Sequence, residues 1–158
     1  MTIKSAPTDP AAQLQWLVDR AEITDLILEF ARSVDEQDHR AYTNTFAEDG
    51  QLVLPFATLV GRDSILSMPR PPQKMDTHHF IGNILFDIDG DTARTRTYVV
   101  ATHVFDAEVR TDSAKAGGWY QQELARTAEG WRFTRVDLHL VWMPEEPMFR
   151  EAPTPRPA

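Results

Sequence analysis

The sequence has no cysteine among its 158 residues. That absence excludes a disulfide scaffold, a thiolate zinc site, an iron–sulfur cluster and a cysteine nucleophile. Positive charge is also in short supply: 16 Lys and Arg against 24 Asp and Glu give a formal net charge of −8. A duplex nucleic-acid binder needs a basic face to offset phosphate charge, so that class is set aside. No apolar run approaches the roughly 18–20 residues of a membrane span. The opening Met1-Thr2-Ile3-Lys4-Ser5-Ala6-Pro7 lacks the apolar stretch of a signal peptide. Phosphate-binding GxGxxG and GxxxxGKS/T loops are missing, as are the HExxH pair and the GxSxG elbow. No metal site is therefore expected. What remains is an apolar fraction of 42% in a chain of ordinary domain length, read as one soluble, cytoplasmic domain.

The first half is patterned as helix. From Pro10, the residues Leu14, Leu17, Val18, Ala21, Ile23, Leu26, Ile27, Phe30, Ala31 and Val34 recur at steps of three and four. Asp9 suits the cap and Pro10 the first helical position; a break near Ala21–Glu22, with Thr24 capping a second segment, is compatible with the pattern. Asp35-Glu36-Gln37-Asp38-His39 ends it, and a short helix over Arg40–Phe46 is expected next. Glu48-Asp49-Gly50 reads as a turn, Gln51–Leu54 as a short strand, Gly61–Leu66 as a brief helix, and Pro69, Pro71 and Pro72 as a loop.

The second half carries strand chemistry. Thr77–Ile88, Thr92–Val109, Gly118–Thr127 and Trp131–Trp142 are rich in β-branched and aromatic residues. Asp89-Gly90-Asp91 and Ala128-Glu129-Gly130 join consecutive runs as tight turns, and Asp112–Gly118 reads as a longer link. Helices followed by an antiparallel meander make an α+β domain over residues 10–143. It lies between a loose arm (residues 1–9) and a proline-rich tail from Pro144.

Histidines and one acid carry the candidate chemistry. Strict alternation along Ala93–Phe105 puts His103 with Ala93, Thr95, Thr97, Val99 and Ala101, opposite the Arg94/Arg96/Tyr98 face. On spacing alone, a partly buried histidine bonded to a backbone carbonyl is the simpler reading of His103. The same alternation puts His78 with Phe80, Gly82, Ile84 and Phe86, and His79 with Thr77, Ile81, Asn83 and Leu85. His39 and His139 sit among polar neighbours and read as surface residues. Asp35 ends an apolar-faced helix, where the macrodipole disfavours a carboxylate. Spacing by itself favours a solvated helix end; the alternative is an inward Asp35 that orients an imidazole and strengthens it as a base.

Three segments in order resemble a known pattern. Ala31–Asp38 with Tyr42 and Phe46–Gly50 resembles the opening of SnoaL-like proteins of the nuclear transport factor 2 superfamily. Thr77–Asn83 with Asp89–Ala93 is similar to the family's first long hairpin, and Gly118-Trp119-Tyr120, Leu124–Thr127, Gly130–Phe133 and Trp142 to its last two strands. The resemblance spans about residues 12–143 and is nearest to scytalone dehydratase, the lindane dehydrochlorinase and bile-acid 7α-dehydratase. It implies a cone-shaped, strongly curved antiparallel sheet, an α+β barrel wrapped around a pocket and closed by the N-terminal helices.

By the same resemblance, Asp35 and His79 match a catalytic pair, His103 matches a second pocket histidine, and Arg135 lies near a last-strand arginine of the dehydrochlorinase. Tyr42, Phe56, Met68, Tyr98, Phe105 and Trp142 are candidates to line the substrate pocket. The implied chemistry is a cofactor-independent lyase (dehydratase-like) or isomerase reaction. Its substrate would be a small, largely apolar cyclic or polyketide-like molecule, with Asp35 and His79 acting as a general acid/base pair. The alternatives are a non-catalytic small-molecule binder, a polyketide cyclase and a dioxygenase β-subunit-like assembly module. A homo-oligomer is expected, a trimer before a dimer.

Overall fold

A single unbroken helix, α1 (Pro10–Asp35), dominates the first half of the computed structural model, which describes residues 5–68 and 75–144. The carboxylate of Asp9 accepts the Ala12 N–H at 2.9 Å, and Pro10 occupies the first turn. The break considered near Ala21 is absent. Thr24 instead donates its hydroxyl to the Arg20 carbonyl at 2.7 Å, a bond that a β-hydroxyl can make without leaving the helix. Ile23, Ile27, Phe30 and Ala31 form the buried face.

The helix ends in a defined way. Gln37 takes the left-handed conformation (φ 55°), Asp38 N–H reaches the Ser33 carbonyl at 2.8 Å and Gln37 N–H that of Val34 at 3.1 Å. This is a Schellman motif with glutamine where glycine is usual. Asp38 then caps α2 (His39–Asn44) through the Ala41 N–H. β1 (Phe46–Leu54), β2 (Ala57–Val60), α3 (Arg62–Leu66), β3 (Asp76–Asp89), β4 (Thr92–Val104), β5 (Ser113–Thr127) and β6 (Gly130–Trp142) follow.

The six strands form one curved sheet in the order β2-β1-β6-β5-β4-β3, with β2 and β3 at its edges. The α+β architecture has helices first and an antiparallel β3–β6 meander, as expected. Two features differ from a closed antiparallel barrel: the sheet is open, and β1 runs parallel to β6 because α1 and α2 bring the chain in from the far side. Glu48-Asp49-Gly50 lies inside β1 instead of turning. Gly50 is buried there, and glycine is needed because a Cβ would come within 2.9 Å of the Phe133 carbonyl oxygen. β5 already begins at Ser113, where a link was expected.

Strict alternation fails at two points of β6, beside Val141 and Thr134, and in β3. Gly82 faces Tyr98 and Leu85 faces Arg96, so Asn83 and Ile84 together oppose Thr97. Asn83 adopts φ 49° to make this bulge. The extra residue reverses the pleat. His79 and Ile81 therefore share the concave face with Ile84, Phe86 and Ile88, which pack on the core, and not with Asn83 and Leu85.

The core is aromatic at its centre: Phe30 lies 4.9 Å from Tyr42, 5.4 Å from Tyr120 and 5.5 Å from Phe133. In the first half of α1, Asp19 binds Arg126 at 2.7 Å; that arginine also binds Asp91 at 2.9 Å and covers the Trp131 ring. That anchor sets the helix against the β3–β4 and β5–β6 turns and so determines where its other end, Asp35, falls. Among the described residues no helix is long and apolar enough to cross a membrane. The loop expected at Pro69–Pro72, the first residues of the N-terminal arm and the tail beyond 144 lie outside the described residues.

Candidate active site

Asp35 is the last residue of α1, and its placement is fixed from both sides. The Gln37 side-chain amide donates to the Met75 carbonyl at 3.1 Å, tying the helix end to the start of β3. The Asp35 carboxylate then accepts three hydrogen bonds from β3. The Thr77 hydroxyl gives 2.9 Å to Oδ1, the His79 backbone N–H 2.9 Å to Oδ2, and His79 Nδ1 2.6 Å to Oδ1. A carboxylate only accepts, so Nδ1 carries the proton and Nε2 is the nitrogen left to exchange one. Partial burial by itself would raise the Asp35 pKa. The bonds from the His79 ring and backbone, the charge of His79 and the Thr77 hydroxyl outweigh it, and the carboxyl is held below its ordinary value.

His103 comes to the same place from β4, where it pairs in register with Thr77 and Ala114. Its ring stands edge-on to that of His79, with centroids 6.1 Å apart. Burial, reinforced by the nearby His79 and partly offset by Asp35, lowers its pKa to about 4. At neutral pH His103 is therefore an uncharged hydrogen-bonding group.

The neighbouring interior positions are small. His79 pairs with Ala101 and Ala101 with Ala116, while the next inward pair across β4 and β5 is Val99 and Gly118. Beyond them stands Tyr120, buried and packed on Phe30. On the outer side, an open groove between α1 and β3 runs past Asp35 and His79, flanked by Leu28, Arg32, Glu36, His78 and Phe80. Among the described residues, no three His, Asp or Glu side chains gather as metal ligands would.

The structure thus brings Asp35, His79 and His103 together and scatters the pocket-lining candidates. Tyr42 is buried in the ring cluster with Phe30 and Phe46. Met68 packs half-buried against the core. Phe105 follows β4, its N–H on the Asp112 carbonyl. Phe56 is 76% exposed in the β1–β2 turn, away from the dyad. Tyr98 and Trp142 lie on the convex face, opposite the histidines, because Tyr98 alternates with inward Thr97 and Val99, and the Trp142 ring lies on Gly117. Arg135 is engaged by Asp137 and Gln51 and does not join the site. His139 stacks on Trp119 at 5.4 Å, also outside.

Thr77, Gln37 and Tyr120 are the site residues that the pattern of the sequence left unnamed. Tyr120 had a usable signal, since it alternates with Ala116, Gln122 and Leu124 on one face of β5. Gln37 had none, because a polar residue after a helix announces nothing about its φ.

Comparison with known proteins agrees with this fold. An uncharacterized protein of Mycobacterium tuberculosis is 27% identical over 125 residues, covering 74% of this chain and 82% of that one. An NTF2-like protein with a cystatin-like fold from Novosphingobium aromaticivorans superposes with a TM-score of 0.72 at 27% identity, over 85% of this chain and 91% of that one. The hexachlorocyclohexane dehydrochlorinase LinA-type3 of Novosphingobium barchaimii does so with a TM-score of 0.71 at 18% identity, over 89% and 99%. The SnoaL-like domain model matches residues 15–137, and the chain belongs to that family.

Proposed function

We propose that the protein is a cofactor-independent lyase or isomerase, in which His79 removes a proton from a carbon acid and Asp35 holds the imidazole in place. The observation that carries this reading is the three-bonded Asp35 carboxylate with His79 Nδ1 on it at 2.6 Å. A carboxylate so pinned fixes the tautomer and stabilises the imidazolium that proton transfer creates. His103, uncharged at neutral pH, offers a hydrogen bond to a departing hydroxyl. The small side chains of Ala101, Ala114, Ala116 and Gly118 beside the dyad suit an apolar ring. In the dehydratase form, the proton leaves carbon for His79 Nε2, the C–H pair forms the double bond as the C–O bond breaks with its pair on oxygen, and the departing hydroxide takes the proton back from the imidazolium and leaves as water.

A binding or assembly role gives no use to an aspartate–histidine pair of this geometry, which is why catalysis is preferred. The test is elimination of water from a panel of cyclic β-hydroxy ketones, read as enone absorbance, with deuterium incorporation at the α-carbon. His79→Ala is expected to slow both by about 10²–10⁴-fold. Activity unchanged in His79→Ala removes the proposal.

A further inference from the structure

A further polar group facing this interior is the phenol of Tyr120. The residue is 8% exposed, and its ring is held edge-to-face on Phe30 at 5.4 Å and 82°. Register places it on the concave side between Thr97 of β4 and Leu138 of β6. Its hydroxyl makes no hydrogen bond to any described residue, although a buried tyrosine hydroxyl ordinarily finds a partner. The next inward-facing polar residue, Gln122, does not supply one: its amide oxygen is taken by Thr95 and Thr97, each at 2.7 Å. Burial, with the charge of Asp35 in addition, keeps the phenol protonated. Between it and the two histidines, the β4 and β5 walls carry only Val99, Ala101, Ala114, Ala116 and Gly118.

We infer that Tyr120 is the hydrogen-bond donor for a substrate oxygen that becomes negative when His79 takes the proton, so that the substrate is an uncharged ketone or similar carbonyl compound reacting through its enolate. The inference rests on the proton-abstraction reading and narrows it. Electron flow balances without another reagent. The C–H pair forms the carbon–carbon double bond, the carbonyl π pair moves to oxygen, and the proton rests on His79 Nε2. A donor preorganised at the site of growing charge acts in the transition state more than in the ground state. A plain loss of halide from an alkyl carbon would have no use for it. Between Tyr120 and the histidines the β4 and β5 walls carry no inward Arg or Lys, and Arg32 in the outer groove is already engaged by Glu29 and Glu36, so a substrate with a fixed negative charge beside Asp35 is disfavoured.

The experiment uses para-nitrophenol, a planar oxyanion mimic whose ionised form alone is yellow. Wild-type protein is expected to bind it as the phenolate, with the released proton on the dyad. Tyr120→Phe keeps the ring that packs on Phe30. It is expected to weaken phenolate binding about tenfold or more at an unchanged melting temperature. In deuterium exchange of β-tetralone, the same substitution should lower kcat with little change in KM. Equal phenolate binding by both proteins overturns the inference, as does wild-type protein that leaves the probe neutral. The dyad is judged apart: His79→Ala exchanging β-tetralone as fast as wild type removes the proton-abstraction reading, whatever Tyr120→Phe does.

Discussion

At the scale of single residues, the site is a set of groups whose charge states have been moved apart. Asp35 is kept ionised by bonds it accepts, while His103 is kept neutral by burial. The shift at His103 has a consequence for stability. An unfolded chain carries this histidine at its ordinary pKa of ~6.5, against about 4 in the fold. Between those values the unfolded state binds a proton that the folded state refuses, so stability rises with pH through the window and is complete above it. Acidification from pH 7 to pH 5 should therefore cost about 2 kcal/mol through this residue. Asp35 contributes in a different range: its depressed pKa makes its share present above ~3.9 and lost only at lower pH. Urea unfolding of wild type and His103→Leu at the two pH values separates these effects. The variant should show the flatter dependence, and equal slopes would contradict the placement of His103 in a dry wall.

At the scale of elements, the β3 bulge decides which histidine faces inward beside Asp35. Without Asn83 in its left-handed conformation, either His79 or the Ile84/Phe86/Ile88 set would face outward, since a pleat cannot serve both. Asn83→Gly should be tolerated, and Asn83→Val should cost about 1–2 kcal/mol because a β-branched residue is strained at positive φ. Deletion of Asn83 should abolish the cooperative unfolding transition or the dyad activity, as denaturant titration and the exchange assay would report. This is also where periodicity stopped being readable. Long α1 and the long strands declare themselves by repeats of 3.6 and 2. A bulge is an interruption of period, visible here only as Gly82-Asn83 inside an apolar run. β2 was missed for the opposite reason, because four residues beyond Pro55-Phe56 are too few to establish any period. Gly50 was misread because glycine marks a close backbone approach as readily as a turn. The Asp35–His79 pair was legible only by resemblance, since nothing in the chain separates an inward helix-end acid from a solvated one.

At the scale of the whole molecule, the convex face of the sheet is the conspicuous surface. Phe80, Tyr98, Val100 and Trp142 are 66%, 40%, 37% and 46% exposed. Register makes them neighbours: Phe80 pairs with Val100, Val100 with Gly117, and Gly117 with Trp142. Gly117 has no side chain to lift the Trp142 ring, which lies flat where a Cβ would be 2.5 Å from it. Charged pairs such as Arg94–Glu123 and Arg135–Asp137 border the patch. An apolar area of this kind with a polar rim suits association. The full chain is expected to sediment as a homo-oligomer at micromolar concentration, with Val100→Lys shifting it toward monomer. A wild-type monomer would count against the expectation, and the sedimenting mass distinguishes trimer from dimer.

The bond from the His79 backbone N–H to Asp35 Oδ2 bears on how variants of this protein are to be interpreted. Among the described residues β3 is an outermost strand, and the outward main-chain donors of such a strand can pair with another chain. The Asp35 side chain occupies one of them. Asp35→Ala would thus remove the orienting carboxylate and unblock a main-chain donor in a single step, and a loss of yield or solubility could pass for a loss of chemistry. Asp35→Asn keeps an oxygen for that N–H while giving up the charge. The amide is the cleaner probe of mechanism, and the difference in solubility between the two variants measures how far the side chain that holds His79 also serves to keep molecules apart.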